Sequence, residues 1–158
     1  MSKQEIKAIE KLNNTPEHAL WLANFINIYQ KLSTDNLHLL ADIYHQDVVF
    51  TDPMHQLMGL DNLRHYFDQL YQQLSYCEFK IEQVLEQSDE AAVYWKMSYQ
   101  HPRLNGGKIV HVQGSSHIKG VDDKVIYHHD YLDLGAMLYE QIPLLGRIIS
   151  WLKNRATR

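Results

Sequence analysis

His128 and Asp130 stand two residues apart in Val125–Leu134 (VIYHHDYLDL), a stretch rich in β-branched and aromatic residues and free of Pro and Gly. Such a stretch reads as a β-strand, along which side chains alternate between two faces. Ile126, His128, Asp130 and Leu132 then share one face, while Tyr127, His129, Tyr131 and Asp133 share the other. A titratable pair among apolar neighbours is costly unless its members satisfy each other. A carboxylate beside an imidazole orients the ring and favours its protonated form, so this spacing offers general acid–base chemistry near neutral pH.

Other chemistries fare less well. A metal needs at least a third ligand at a compatible position. His111 and His117 alternate onto the opposite face, so no metal is expected. Cys77 has no His partner for nucleophilic catalysis, and as the single cysteine it cannot form an internal disulfide. The net charge of −4, with no Lys/Arg stripe through the body of the chain, argues against a nucleic-acid partner. The start of the chain (MSKQEIKAIEK) lacks the apolar core of a signal peptide and no apolar run is long enough to cross a bilayer, which points to the cytoplasm. At 158 residues, 45% apolar and 22% charged, the chain has the size and composition of one globular domain.

Helices come first among the elements that must hold the pair. Thr15-Pro16 is a helix start, and Trp21, Phe25, Ile28, Tyr29 and Leu32 follow one helical face. Leu37, Leu40, Ala41 and Tyr44 mark a second helix. Asp47–Asp52 reads as a short strand stopped by Pro53, and Gly59 precedes a third helix carrying Leu63, Phe67, Leu70 and Leu74. Strands are expected at 78–85, 91–101, 108–119 and 125–134, with turns at Ser88–Glu90, Asn105–Gly107 and Gly120–Lys124. Trp95, Met97 and Tyr99 alternate onto one face of the second of these. Helices followed by a run of antiparallel strands define an α+β domain with the helices on one sheet face. Past Gly135, apolar residues (Leu144, Leu145, Ile148, Ile149, Trp151, Leu152) lead into Lys153, Arg155 and Arg158. This amphipathic extension suits packing on a partner subunit or, as a less favoured option for residues 137–158, peripheral contact with a membrane.

The order helix, helix, short strand ending in Asp52-Pro53, helix opened by Gly59, then long strands (one opened by Glu90-Ala91-Ala92, the last by Asp123-Lys124-Val125) resembles the NTF2-like superfamily. That group includes ketosteroid isomerases and SnoaL-type polyketide cyclases. The resemblance covers roughly Pro16–Leu134. It implies a cone, three N-terminal helices on a curved antiparallel sheet enclosing an apolar pocket, with a tail at 1–14, the domain at 15–134 and the extension at 135–158.

The resemblance further implies a catalytic role for Asp52, which matches the isomerases' Asp-Pro pair, beside His128 and Asp130. It implies a substrate wall of Tyr29, Phe67, Trp95, Met97, Tyr99, Ser116 and Leu132. The isomerases' oxyanion-hole Asp falls on Ser116, and their Tyr falls near Ile28 with Tyr29 alongside. A steroid-isomerase donor set is therefore absent, and that activity is not expected. Superfamily members commonly dimerise through the sheet face that here carries His111, Gln113, Ser115 and His117. The functional expectation is an acid–base lyase, isomerase or hydrolase without cofactor, acting on a small apolar or lipid-like ligand. The alternative is a non-catalytic binding module with the same cavity.

Overall fold

A computed structural model describes residues 18–157; the Thr15-Pro16 helix start and the 1–14 tail lie outside them. Helix α1 (Leu20–Tyr29) begins at Ala19, whose N–H donates to the Glu86 carboxylate at 3.0 Å. Trp21, Leu22, Phe25 and Tyr29 recur on its buried side, while Ile28 is half-buried. Burial of such a side chain is worth about 1.5–3 kcal/mol, so packing rather than propensity holds this short helix.

The expected second helix is shorter than its apolar spacing suggests. A 3-10 turn at Leu37–Leu39 leads into α2 (Leu40–Ile43), and Tyr44 leaves the helix to open strand β1 (Tyr44–Thr51). Pairing across the sheet with Val125 overrides the helical pattern there. A short strand β2 (Gln56–Met58), not foreseen, folds back on β1 through the turn at Asp52–His55. Gly59, at φ 87°, then opens α3 (Leu60–Gln72), which buries Leu63, Tyr66, Phe67 and Tyr71.

The remaining strands are β3 (Tyr76–Gln87), β4 (Glu90–Gln100), β5 (Val110–Val121) and β6 (Lys124–Leu132), each antiparallel to the next as expected. The six-stranded sheet runs β2-β1-β6-β5-β4-β3 and is mixed, because β1 lies parallel on the edge of β6. The β5–β6 hairpin sets the direction of β6, and β1 reaches its free edge from the helical layer. No hairpin constrains that junction to be antiparallel.

The inner face of β6 differs from simple alternation at one residue. Lys119 pairs with Tyr127 but Gly120 with Val125, so Ile126 is the extra residue of a β-bulge. Val125, fully buried, takes the inward place that unbroken alternation assigns to Ile126. Beyond the bulge the register is as expected: His128 and Asp130 face inward, and His129 stacks on Tyr131 on the outer face at 4.1 Å. Two inward glycines let the large rings lie flat on the sheet. A Cβ on Gly114 would fall 2.4 Å from the Trp95 indole, and one on Gly120 would fall 2.4 Å from that of Trp21.

After β6, Asp133 caps α4 (Leu134–Met137) by accepting from the Ala136 N–H at 3.0 Å. A turn at Tyr139–Gln141 leads into α5 (Pro143–Ala156), with Pro at the start of the helix.

Candidate active site

A cavity of about 300 Å³ opens between the helices and the inner sheet face, within the size range of small-molecule sites. Strand β4 supplies Trp95, Met97 and Tyr99, β6 supplies Asp130 and Leu132, and β3 supplies Cys77 and Phe79. Tyr29 of α1 faces them, with Tyr66, Phe67, Leu70 and Tyr71 of α3. Asp52, Met54, His101 and Leu104 form the rim together with Met137 and Leu138. The extension placed outside the cone by sequence thus helps to wall the cavity, and the Tyr99 hydroxyl donates to the Met137 carbonyl.

Asp130 is the carboxylate that a buried polar chain holds against this cavity. Its Oδ1 lies 2.7 Å from His128 Nε2 and accepts from the Ser116 hydroxyl at 2.5 Å. Trp95 Nε1–H in turn donates to Ser116 Oγ at 2.8 Å. On the far side, His128 Nδ1 lies 2.6 Å from the Tyr44 hydroxyl. With the imidazole neutral, Nε2–H donates to the carboxylate and Nδ1 accepts from Tyr44, so one arrangement satisfies every member. Both protein bonds fall on Oδ1. The Asp130 side chain, 10% exposed, turns its remaining acceptor capacity toward the cavity.

His128 is not on the cavity surface, contrary to the expectation that it shares the wall with Trp95 and Asp130. It is 0% exposed, enclosed by the rings of Phe25, Tyr29, Tyr44 and Phe50 at centroid distances of 5.0 to 5.9 Å. Ser116 is likewise buried behind the wall. Both residues touch Asp130 and neither lines the cavity.

Asp52 does not converge on His128 either. Its Oδ1 accepts from the N–H groups of Met54 at 2.8 Å and His55 at 2.7 Å, and its Oδ2 accepts from the Tyr66 hydroxyl. Asp52 is the capping residue of the β1–β2 turn at the cavity rim. The three-residue set read from sequence thus divides into a His128–Asp130 pair and a separate Asp52.

Two tyrosines missed as site residues complete the picture. The apolar spacing assigns Tyr44 to a helix, and nothing in its own segment signals its partner 84 positions away. Tyr71 lines the cavity from α3, and its buried hydroxyl has no hydrogen-bond partner among the described residues. Its neighbour is the Cys77 thiol, at best a weak acceptor. A buried donor left unpaired costs about 1–3 kcal/mol, and this one belongs to a residue of the cavity wall. A tyrosine one helical turn beyond Phe67 on the same face was the available signal.

Burial pushes the hydroxyls of Tyr29 and Tyr44 well above the ordinary tyrosine range, and the nearby Asp130 charge adds to it. Tyr71 rises through burial, with Cys77 contributing; Tyr66 rises through burial and its bond to Asp52. All four remain protonated donors through neutral pH. Burial also pushes the Cys77 thiol up to about 11, opposed by Tyr71. Among the described residues no three His, Cys, Asp or Glu are grouped to hold a metal ion.

A curved mixed sheet wrapped on helices, with an apolar cavity bordered by two aspartates, defines an α+β pocket domain of the NTF2-like type. The chain belongs to the SnoaL-like domain family, whose model matches residues 25–128. Its fold is similar to that of a protein named as a SnoaL-like polyketide cyclase from Jannaschia sp. CCS1, at 13% identity over 79% of this chain and 93% of that one, TM-score 0.68. It is also similar to a ketosteroid isomerase-like protein from Catenulispora acidiphila in complex with trimethylamine (12% identity, 81% and 93% covered, TM-score 0.66). A third similar structure is TerC co-crystallised with polyporic acid (13% identity, 75% and 95% covered, TM-score 0.66). No curated protein matches the chain.

Proposed function

We propose that the protein is an acid–base enzyme for a small, largely apolar organic substrate, with Asp130 as the proton-transfer group. The observation that carries this reading is the one-sided bonding of Asp130: Oδ1 holds His128 and Ser116 while the rest of the carboxylate faces an apolar cavity. Its partners reach it from behind the wall, and a carboxylate held this way against a ligand-sized space is poised to meet a substrate. In the TerC structure a similar fold was co-crystallised with a small organic acid, which supports the choice of ligand class.

In the reaction, Asp130 takes a proton from a carbon or hydroxyl of the bound substrate through its cavity-facing oxygen. Negative charge then moves onto a substrate oxygen, and the Tyr71 hydroxyl, protonated and unpaired, is the donor for it. The proton held on Asp130 returns to another substrate atom, so the enzyme ends as it began. His128 and Tyr44 are positioning residues: they fix the carboxylate and hold its reacting oxygen toward the substrate.

Exchange of substrate protons tests this. Cyclic aryl ketones bound to the protein in deuterated water should exchange α-protons, followed by NMR, faster than in buffer matched for pH. The acceleration should fall about 10²-fold or more in Asp130→Asn, since general-base catalysis commonly contributes 10²–10⁴. Ligands that bind without any accelerated exchange would assign the chain to the binding-module class instead.

A further inference from the structure

Among the described residues, helix α5 leaves its apolar side without a partner. Leu144, Ile148, Trp151 and Leu152 recur at helical spacing along one side and are 74%, 56%, 56% and 51% exposed. The helix packs mainly on the Tyr139–Gln141 turn, where Gly146 meets the Glu140 carbonyl and Lys153 pairs with the Glu140 carboxylate. From Leu144 onward the chain carries Arg147, Lys153, Arg155 and Arg158 and no Asp or Glu, although the chain as a whole has a net charge of −4. The Arg155 guanidinium lies over the Trp151 ring, 5.3 Å from its centroid. No helix among the described residues is long and apolar enough to cross a membrane.

We propose that α5 docks flat on an anionic lipid surface, with Leu144, Ile148, Trp151 and Leu152 entering the headgroup–acyl boundary and Arg147 and Arg155 meeting lipid phosphates. The charge pattern selects this occupant. Leu and Trp on one side, flanked by cations with no acid, is the pattern that binds the interface of negatively charged bilayers. A second copy of the chain is a poor complement. Its broad outer sheet face is charge-balanced, with Lys96 paired to Glu82 and both His117 and Lys119 paired to Glu90. With these carboxylates already paired, the face offers the cations of α5 little free negative charge. The docked helix is joined by one short turn to Met137 and Leu138 on the cavity rim, so the lipid surface and the cavity lie close along the chain. The docking does not depend on the acid–base reading of Asp130.

The test is partition of the full chain onto phosphatidylcholine vesicles with and without about 30% phosphatidylglycerol, the anionic lipid supplying the surface potential. Trp21 and Trp95 are buried, so a blue shift of tryptophan emission on binding reports Trp151. Partition should be at least about 10-fold stronger on the anionic vesicles and should weaken in high salt, where charges are screened. Ile148→Glu, at an exposed position, should abolish binding without altering the fold, and Arg147→Gln with Arg155→Gln should weaken it on anionic vesicles only. No partition, partition indifferent to phosphatidylglycerol, or a concentration-dependent dimer dissolved by Ile148→Glu in place of vesicle binding would overturn the proposal.

Discussion

Two aspartates border the same cavity and differ in what their neighbours leave unused. Asp52 has both oxygens engaged: two backbone N–H groups take one and Tyr66 takes the other. Among the described residues, Asp130 is bonded on one oxygen only, by partners reaching it from behind the wall. The Asp52 bonds close a turn, while the Asp130 bonds aim a carboxylate. Residue type and proximity to a pocket therefore do not identify a reacting group; the unused lone pairs do.

Replacing the buried ring behind Asp130 should have the largest effect. His128→Ala empties a site enclosed by four aromatic rings and removes a donor from a buried carboxylate, at a cost of about 3–5 kcal/mol in urea unfolding. Gly114→Ala strikes the same chain of bonds from the sheet. Its Cβ must displace the Trp95 indole that anchors Ser116, costing about 1–3 kcal/mol and changing Trp95 emission. At the rim, Asp52→Asn should cost only about 1 kcal/mol, because an amide oxygen still accepts from Met54 and His55 while the acceptor for Tyr66 is lost. A rim variant as damaging as His128→Ala would break the contrast.

Alkaline pH gives a milder handle on the protonated donors. A thiol or phenol whose value is raised on folding binds its proton more tightly in the native state, so its stabilising contribution is full below the unfolded value and fades as pH rises through the folded one. For Cys77 that window runs from 9.0 to about 11, and the buried tyrosines extend the same decline above pH 10. Stability should therefore fall from about pH 9 upward, with Cys77→Ser flattening the first part of the slope. Thiolate absorbance of the folded protein should titrate near 11; a midpoint near 9 would place Cys77 in water.

The inward face of β6 was legible because alternation is a local property, and the long strands and their turns were legible for the same reason. What escaped depended on pairing across the chain. The bulge at Ile126 exists only through the register with β5, and no pattern within 125–134 announces it. Tyr44 carries an apolar helical spacing and becomes a strand residue because Val125 lies beside it. Asp52 entered the candidate set through resemblance. Its local sequence, Asp-Pro followed by two free N–H groups, already suited a turn cap. Tyr71 could be placed on the helix, but its unpaired hydroxyl could not, since satisfaction is a property of the packed interior.

The most direct measurement is base catalysis with a substrate chosen for its chemistry alone. 5-Nitrobenzisoxazole opens to a coloured cyanophenolate when a base removes its ring C–H proton and the N–O bond breaks, so turnover reports an available base in an apolar pocket. The account predicts acceleration over an acetate control at the same pH. That acceleration should be lost by about 10²-fold or more in Asp130→Asn and retained within about threefold in Asp52→Asn. Turnover untouched by Asp130→Asn, or abolished by Asp52→Asn instead, would contradict it.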